Sequence, residues 1–377
     1  MPAQISNYES LGIRPFINAC GTITTLGGSI MPPQVVDAMV GASRHFIPLI
    51  ELHEKVGQRI ADLTGNEGAF VCAGAASGMT LAGAACVAGA DSDAIQNLPD
   101  TGGRPNEFVI PLVDPHYFIH QGFALCGGKL VKVGTREKVT AEDFAGGFSE
   151  RTAGVIYFLG SQPVDQLPGI IAVAHEHEVP VIVDAAAQLP PRSYLTDLTG
   201  MGADLVVFSG GKGLCGPQSS GLIVGRSDLI QACTLNSNPH SGIGRSMKVG
   251  KEEIMGLLAA VEIFMEQDEE AVIADWSDRC QTIGAVADDF EGIESVYSPP
   301  GKCRFPPVSP TQQLRFADSA PISAQEVHRQ LKDGDPSINA SASTEVVGFQ
   351  PQTLQAGEAE IIARRLREII SAAAEAS

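Results

Sequence analysis

Short apolar runs recur along the first two thirds of the chain, at residues 68–71, 107–111, 129–133, 154–159, 180–184, 205–208 and 221–224. Apolar positions at helical spacing return between most of them, which is the rhythm of strand, helix, strand. Seven such runs predict an α/β fold with a seven-stranded, mostly parallel sheet covered on both faces. About a dozen residues separate the last two runs. That is short for a crossover helix, so the last strand is expected to run antiparallel.

The uncharged stretch Val71–Ala90 is long enough to suggest a membrane span, but Gly, Ala, Ser and Cys dominate it. Its transfer energy is weak, and it reads as a buried helix of a soluble protein. Val249–Asp268 reads as a long helix, with Ile254, Leu257, Leu258, Val261 and Phe264 on one stripe. From about Cys280 the style changes: Pro-Pro breaks, a strand at Gln312–Phe316 and a closing helix from Ala356 to about Ala374 indicate a small α+β C-terminal domain. The expected division is an N-terminal segment (1–45), a large cofactor-binding domain (46–248), a linking helix region (249–280) and a small domain (281–377). Asp91–Asn106 reads as an exposed loop, and the Ala-rich tail 372–377 as frayed.

The chemistry concentrates on two strand ends. The run Leu205–Phe208 leads into Ser209-Gly210-Gly211-Lys212-Gly213, and the run 180–184 ends in Asp184, twenty-eight residues before the lysine. Alone, the lysine reads as a solvated turn residue and the aspartate as a helix cap. Together, on consecutive buried strands, they suit pyridoxal 5'-phosphate. The Lys212 amine can form a Schiff base with the aldehyde, and Asp184 can keep the ring nitrogen protonated. A nucleotide P-loop is excluded: Val206 stands where its first glycine belongs, and Gly213 follows the lysine in place of Ser or Thr.

A phosphate needs convergent amides at a helix start. Gly74, Ala75, Ala76 and Ser77 follow the first strand without bulky side chains and are the candidates, with tight helix–sheet packing as the alternative. Ser209 is a further candidate. A flat partner for the ring is expected after the second strand, with His116 ahead of Tyr117, and Ala186 is small enough to let the ring lie on its other face. His116 and His120 have the spacing of a metal pair, but no nearby carboxylate completes a zinc signature. His175-Glu176-His177 reads as solvated surface, because residues two apart on a helix point to different sides. Arg245, Lys248 and Lys251 form the densest basic stretch. It reads either as a solvated helix start or as an anion site for cofactor or substrate phosphate, reaching into a neighbouring protomer.

The formal charge of −19, from 44 acidic and 25 basic residues among 377, argues against a nucleic-acid surface or an anionic membrane surface. The eight cysteines include no Cys-x-x-Cys pair. They read as reduced residues of a cytoplasmic protein. The N-terminus, Met1–Glu9, lacks the pattern of a signal peptide.

The segments Pro15–Thr22, Phe208–Gly221, Gly244–Glu252 and Asp335–Ile338, with Asp184, together resemble fold-type I pyridoxal phosphate enzymes. The resemblance is to the branch holding L-seryl-tRNA selenium transferase and D-glucosaminate-6-phosphate ammonia-lyase-like proteins. It implies the fold-type I transferase fold and a homodimer or larger even assembly with sites shared between protomers. The Asn-Ala-Cys-Gly motif starts at Asn18, which leaves no room for the tRNA-binding domain of the selenium transferases. That and the acidic charge favour a small-molecule amine as partner. The activity implied is a lyase: Lys212 removes the α-proton, a β-hydroxyl leaves, and ammonia is released. Racemisation, aldol cleavage and transamination begin the same way, and a non-catalytic cofactor-binding protein is the alternative outside enzymes. Arg315 is the candidate carboxylate clamp.

Overall fold

Seven strands line up in one sheet in the computed structural model, and alternate residues of each point to opposite faces. The described residues are 7–376. Residues 1–6, which belong to the N-terminus read as lacking a leader's pattern, and Ser377 at the end of the tail lie outside them. In chain order the strands are Phe16–Asn18 (β1), Gly68–Cys72 (β2), Glu107–Pro111 (β3), Lys129–Val133 (β4), Thr152–Phe158 (β5), Val181–Asp184 (β6), Leu205–Ser209 (β7), Gly221–Gly225 (β8), Ile293–Ser298 (β9), Thr311–Phe316 (β10), Ser337–Asn339 (β11), Ser341–Ala342 (β12) and Val346–Phe349 (β13). All seven apolar runs of the sequence are strands of the large sheet.

The chain divides into two compact units. One comprises Ser29–Gln267 and Arg304–Pro306. It holds the large sheet, ordered β2-β8-β7-β6-β5-β3-β4. Neighbours are parallel except at β8, which runs antiparallel to both β7 and β2. The predicted antiparallel strand is therefore present. Val71, Val109, Val155, Val183, Val206 and Phe208 face one hydrophobic layer, whereas Phe70, Phe108, Ile156, Ile182, Leu205 and Val207 face the other. Burial on both faces explains why these strands read as continuous apolar runs rather than alternating ones.

The suspected membrane stretch is the helix Ala75–Ala88, with eleven of its fourteen residues buried. A Cβ added at Gly78 would stand 2.7 Å from a Val207 methyl, and one at Gly83 2.7 Å from the Phe123 ring. Small residues let this helix lie close against both the sheet and the helix Tyr117–Leu125, and burial on most sides accounts for its weak periodicity. No helix among the described residues is long and apolar enough to cross a membrane.

The other unit comprises the described residues up to Gly28, Asp268–Cys303 and the chain from Pro307 onward. The sheet β12-β13-β10-β9 is antiparallel, and β1 pairs in parallel with β11. Leu314, Val327, Leu331, Val347, Ile362 and Leu366 form its core.

Three local expectations differ from the structure. The loop 91–106 contains the helix Ser92–Asn97, because the Asp91 carboxylate accepts from the amides of Asp93 and Ala94 and so caps its start. The Ala-rich tail is helical to Ala376, since alanine is the best helix former. His175 is not simply solvated: its Nε2 lies 2.9 Å from the buried Asp204 carboxylate.

Candidate active site

Lys212 and Asp184 are set by the same strand pair. Asp184 stands in register with Val207 on β7, five residues ahead of the lysine. Beyond β7 the chain turns through glycines that touch backbone directly. A Cβ at Gly211 would meet Gln218 Cα at 2.4 Å, and one at Gly213 would meet the Leu189 carbonyl oxygen at 2.1 Å. Ser29 fastens the turn, its amide and hydroxyl both donating to the Gly211 carbonyl at 3.0 Å. The Lys212 backbone is thus held on both sides.

The two side chains are electrostatically unfinished. Burial pushes the Asp184 carboxyl upward, with the Ala186 amide and the Lys212 charge acting against it. Asp184 Oδ1 accepts from the Ala186 amide at 3.0 Å, while Oδ2 has no hydrogen-bond partner among the described residues. Burial lowers the Lys212 amine, Asp184 opposing the shift, and that amine makes no hydrogen bond among the described residues. An acid and an amine are thus kept partly buried near each other without being spent on other protein groups.

His116 lies between β3 and the helix Tyr117–Leu125. Its amide and its Nδ1 both lie 2.7 Å from Asp114 Oδ1. Asp114 raises its pKa, and both Asp184 and Lys212 act on its charge, so all three belong to one field. Tyr117 points elsewhere, half-exposed and edge-on to His120. Ala186 sits at the Asp184 turn, where its carbonyl accepts from the Ser209 amide.

Gly74 caps the helix Ala75–Ala88 at φ 83°, a conformation open to glycine. The amides of Ala75, Ala76 and Ser77 form the first turn and have no carbonyl one turn earlier to receive them. The Ser77 hydroxyl folds back onto the carbonyls of Ala73 and Gly74, so its amide is the part left for a ligand. A Cβ at Gly221 would lie 2.5 Å from the Gly74 carbonyl carbon, so glycine there lets β8 pass under the helix start. Anion-seeking amides, an unpaired carboxylate oxygen and an unpaired amine together fit the phosphate, ring nitrogen and aldehyde of pyridoxal phosphate.

The basic stretch is less uniform than its sequence. Arg245 and Lys248 are exposed and make no ion pair among the described residues, while Lys251 starts the helix Lys251–Glu266 and is bound to Glu252. Arg315, the candidate clamp, lies in the other unit on β10. It pairs with Glu294 and lines a cavity of about 490 Å³ with Glu294, Asp318 and Glu345. Those three acids favour a cation there and compete with a substrate carboxylate for Arg315.

Sequence reasoning overlooked Asp114, Ser161, Arg304 and Ser29. Asp114 carried a signal, since an aspartate two residues before an amide commonly accepts from it. The others come from distant loops and have no local pattern.

A family model described as L-seryl-tRNA selenium transferase matches residues 16–275. The chain is 34% identical to 5'-C-glycyluridine monooxygenase-decarboxylase of a Streptomyces species, over 96% of this chain and 92% of the relative. It is 31% identical to D-glucosaminate-6-phosphate ammonia lyase of Salmonella typhimurium, over 98% and 99% of the two chains. A solved structure of D-glucosaminate-6-phosphate ammonia-lyase superposes with a TM-score of 0.82 at 29% identity, covering 99% of this chain and 100% of that one. The fold is also that of SPT solved with its PLP internal aldimine, at a TM-score of 0.61 and 15% identity over 95% and 88% of the chains.

Proposed function

The chain belongs to the family described as L-seryl-tRNA selenium transferase, and we propose that this enzyme is a pyridoxal-phosphate-dependent lyase releasing ammonia from a small amino acid or amino-sugar acid. The observation that carries the reading is the pair Asp184 and Lys212, each with an unsatisfied functional atom in one partly buried site. The relationship to D-glucosaminate-6-phosphate ammonia lyase supplies the reaction type. When bound, the cofactor supplies an electrophilic carbon for the substrate amine and an electron sink for the bond broken at the α-carbon.

The residues would divide the work as follows. The amides of Ala75, Ala76 and Ser77 and the Ser209 hydroxyl would hold the phosphate, whereas the Gly74 amide donates to the Cys72 carbonyl. Asp184 would keep the ring nitrogen protonated, with Ala186 small enough to let the ring lie against it and His116 as the flat partner for its other face. Lys212, whose burial favours the neutral amine, takes the α-proton of the substrate. A hydroxyl on the β-carbon leaves with a proton as water. The unsaturated amine that remains takes up water and separates into a keto acid and ammonia.

Arg245 and Lys248 are the anchor proposed for a phosphate, on the cofactor or on the substrate. We assign the working form to a homodimer or larger even assembly, with this basic stretch reaching a neighbouring protomer. The eight cysteines, none in a disulfide, support a reducing compartment, the cytoplasm. The acidic charge supports a small-molecule amine rather than a nucleic acid as partner.

The test is ammonia and keto-acid release from a panel of amino acids and amino-sugar acids, phosphorylated and not. Likeness to a monooxygenase-decarboxylase favours a second reading, oxidative decarboxylation of an amino acid. Oxygen uptake with carbon dioxide release, in place of anaerobic ammonia release, would select it.

A further inference from the structure

The ring of His116 is tied down on one side only. Nδ1 lies 2.7 Å from Asp114 Oδ1, and Nε2 has no hydrogen-bond partner among the described residues. Behind the imidazole, the Asp114 side chain is almost wholly enclosed, with 3% of it exposed. Its second oxygen is also occupied: the Ser161 hydroxyl donates to Oδ2 at 2.5 Å. Arg304 in turn donates from Nη2 to Ser161 Oγ at 2.5 Å and from Nε to the Gly160 carbonyl at 2.7 Å. Arg304 is itself fixed. Its guanidinium lies 4.7 Å above the Phe305 ring, and the Gln188 side-chain amide donates to its carbonyl. Gly160 is required at this junction, because a Cβ there would lie 2.3 Å from Gln188 Nε2 and 2.5 Å from the Phe305 ring.

A platform for a flat ring needs shape only. An enclosed carboxylate bound to one nitrogen of that platform, and itself held by a hydroxyl that an arginine fixes, determines which nitrogen is directed away from the protein. We propose that Asp114, Ser161 and Arg304 are positioning residues that hold His116 by Nδ1, so that Nε2 exchanges protons with bound substrate. In the elimination, Nε2–H gives its proton to the departing hydroxyl, which leaves as water. The neutral imidazole then regains a proton from solvent. This rests on the lyase reading of the site, but the arrangement of the four side chains does not.

The charges acting on His116 are Asp114 and Asp184, which favour the imidazolium, and Lys212, which opposes it. Losing the Asp114 charge should therefore lower the His116 pKa. Asp114→Asn keeps an oxygen for the His116 amide and removes that charge. In the cofactor-free protein, NMR titration of His116, assigned with His116→Gln, should show the midpoint moving to lower pH in Asp114→Asn. Ser161→Ala should move it by less and to higher pH, because a carboxylate that loses a hydroxyl donor keeps more of its charge for the imidazolium. In the loaded enzyme, kcat of Asp114→Asn should fall by about 10²-fold, and the limb of the pH profile that reports loss of the imidazolium should move to lower pH. Asp114→Glu should restore part of both. If Asp114→Asn fails to fold, the titration and the pH profile of Ser161→Ala decide the matter. An unmoved His116 midpoint overturns the positioning role. A moved midpoint with an unmoved pH profile overturns proton exchange at Nε2. Absence of any cofactor-dependent turnover in the wild type, with the titration result intact, would instead count against the lyase reading.

Discussion

Asp184 ends β6 in register with Val207, and Lys212 follows five residues later on the neighbouring strand's turn, so one strand pairing positions both groups. Neither group completes its hydrogen bonding within the protein, and each has its pKa displaced by burial.

Asp184→Asn should fold and retain much of its cofactor while turnover falls by about 10²–10³-fold, the scale on which losing one preorganised electrostatic partner slows an enzyme. Circular dichroism, cofactor absorbance and steady-state rates check the three parts. Near-normal turnover would mean the ring nitrogen has another partner.

The same substitution should act oppositely on the empty protein. The folded Asp184 carboxyl has a raised pKa, so the folded state binds this proton more tightly than the unfolded chain does. Its favourable contribution is present at acidic pH and is lost as pH rises through the folded pKa. At neutral pH the bare carboxylate is a burden, and Asp184→Asn retains the oxygen that accepts from Ala186. Cofactor-free Asp184→Asn should therefore melt above wild type at pH 7 in calorimetry, with the gap closing on acidification. A lower melting temperature at pH 7 would contradict this.

The seven strands were legible because both of their faces are buried, which leaves long apolar runs. The Lys212 turn was legible because its glycines cluster. The relay behind His116 was not: Asp114, Ser161 and Arg304 are joined only by tertiary folding, Ser161 and Arg304 lying 143 residues apart. Ser29 is equally silent, since nothing in its neighbourhood indicates that it grips Gly211, 182 residues later. The helix inside 91–106 was hidden by its Gly-rich end, although Asp91 is a good cap.

Gly213→Ala should destabilise the fold by about 1–3 kcal/mol, because its Cβ would press on the Leu189 carbonyl. Thermal unfolding and cofactor titration should show a lower melting temperature together with weaker binding, as the lysine turn is forced outward. An unchanged affinity would mean the turn does not set the Lys212 position.

Arg245→Ala and Lys248→Ala separate the two roles of the basic stretch. If they hold a substrate phosphate, KM for a phosphorylated substrate should rise by roughly tenfold, about 1.4 kcal/mol, with cofactor content unchanged. If they hold the cofactor, the variants should purify colourless and recover with added pyridoxal phosphate. If neither changes, the stretch is a solvated helix start.

The account rests most heavily on Lys212 as the residue that carries the cofactor. Borohydride reduction of the yellow protein, followed by peptide mapping, should place the cofactor on the peptide containing Lys212 and leave Lys212→Ala unlabelled. A label on Lys129, Lys248 or Lys251 instead, or equal labelling of Lys212→Ala, would contradict it.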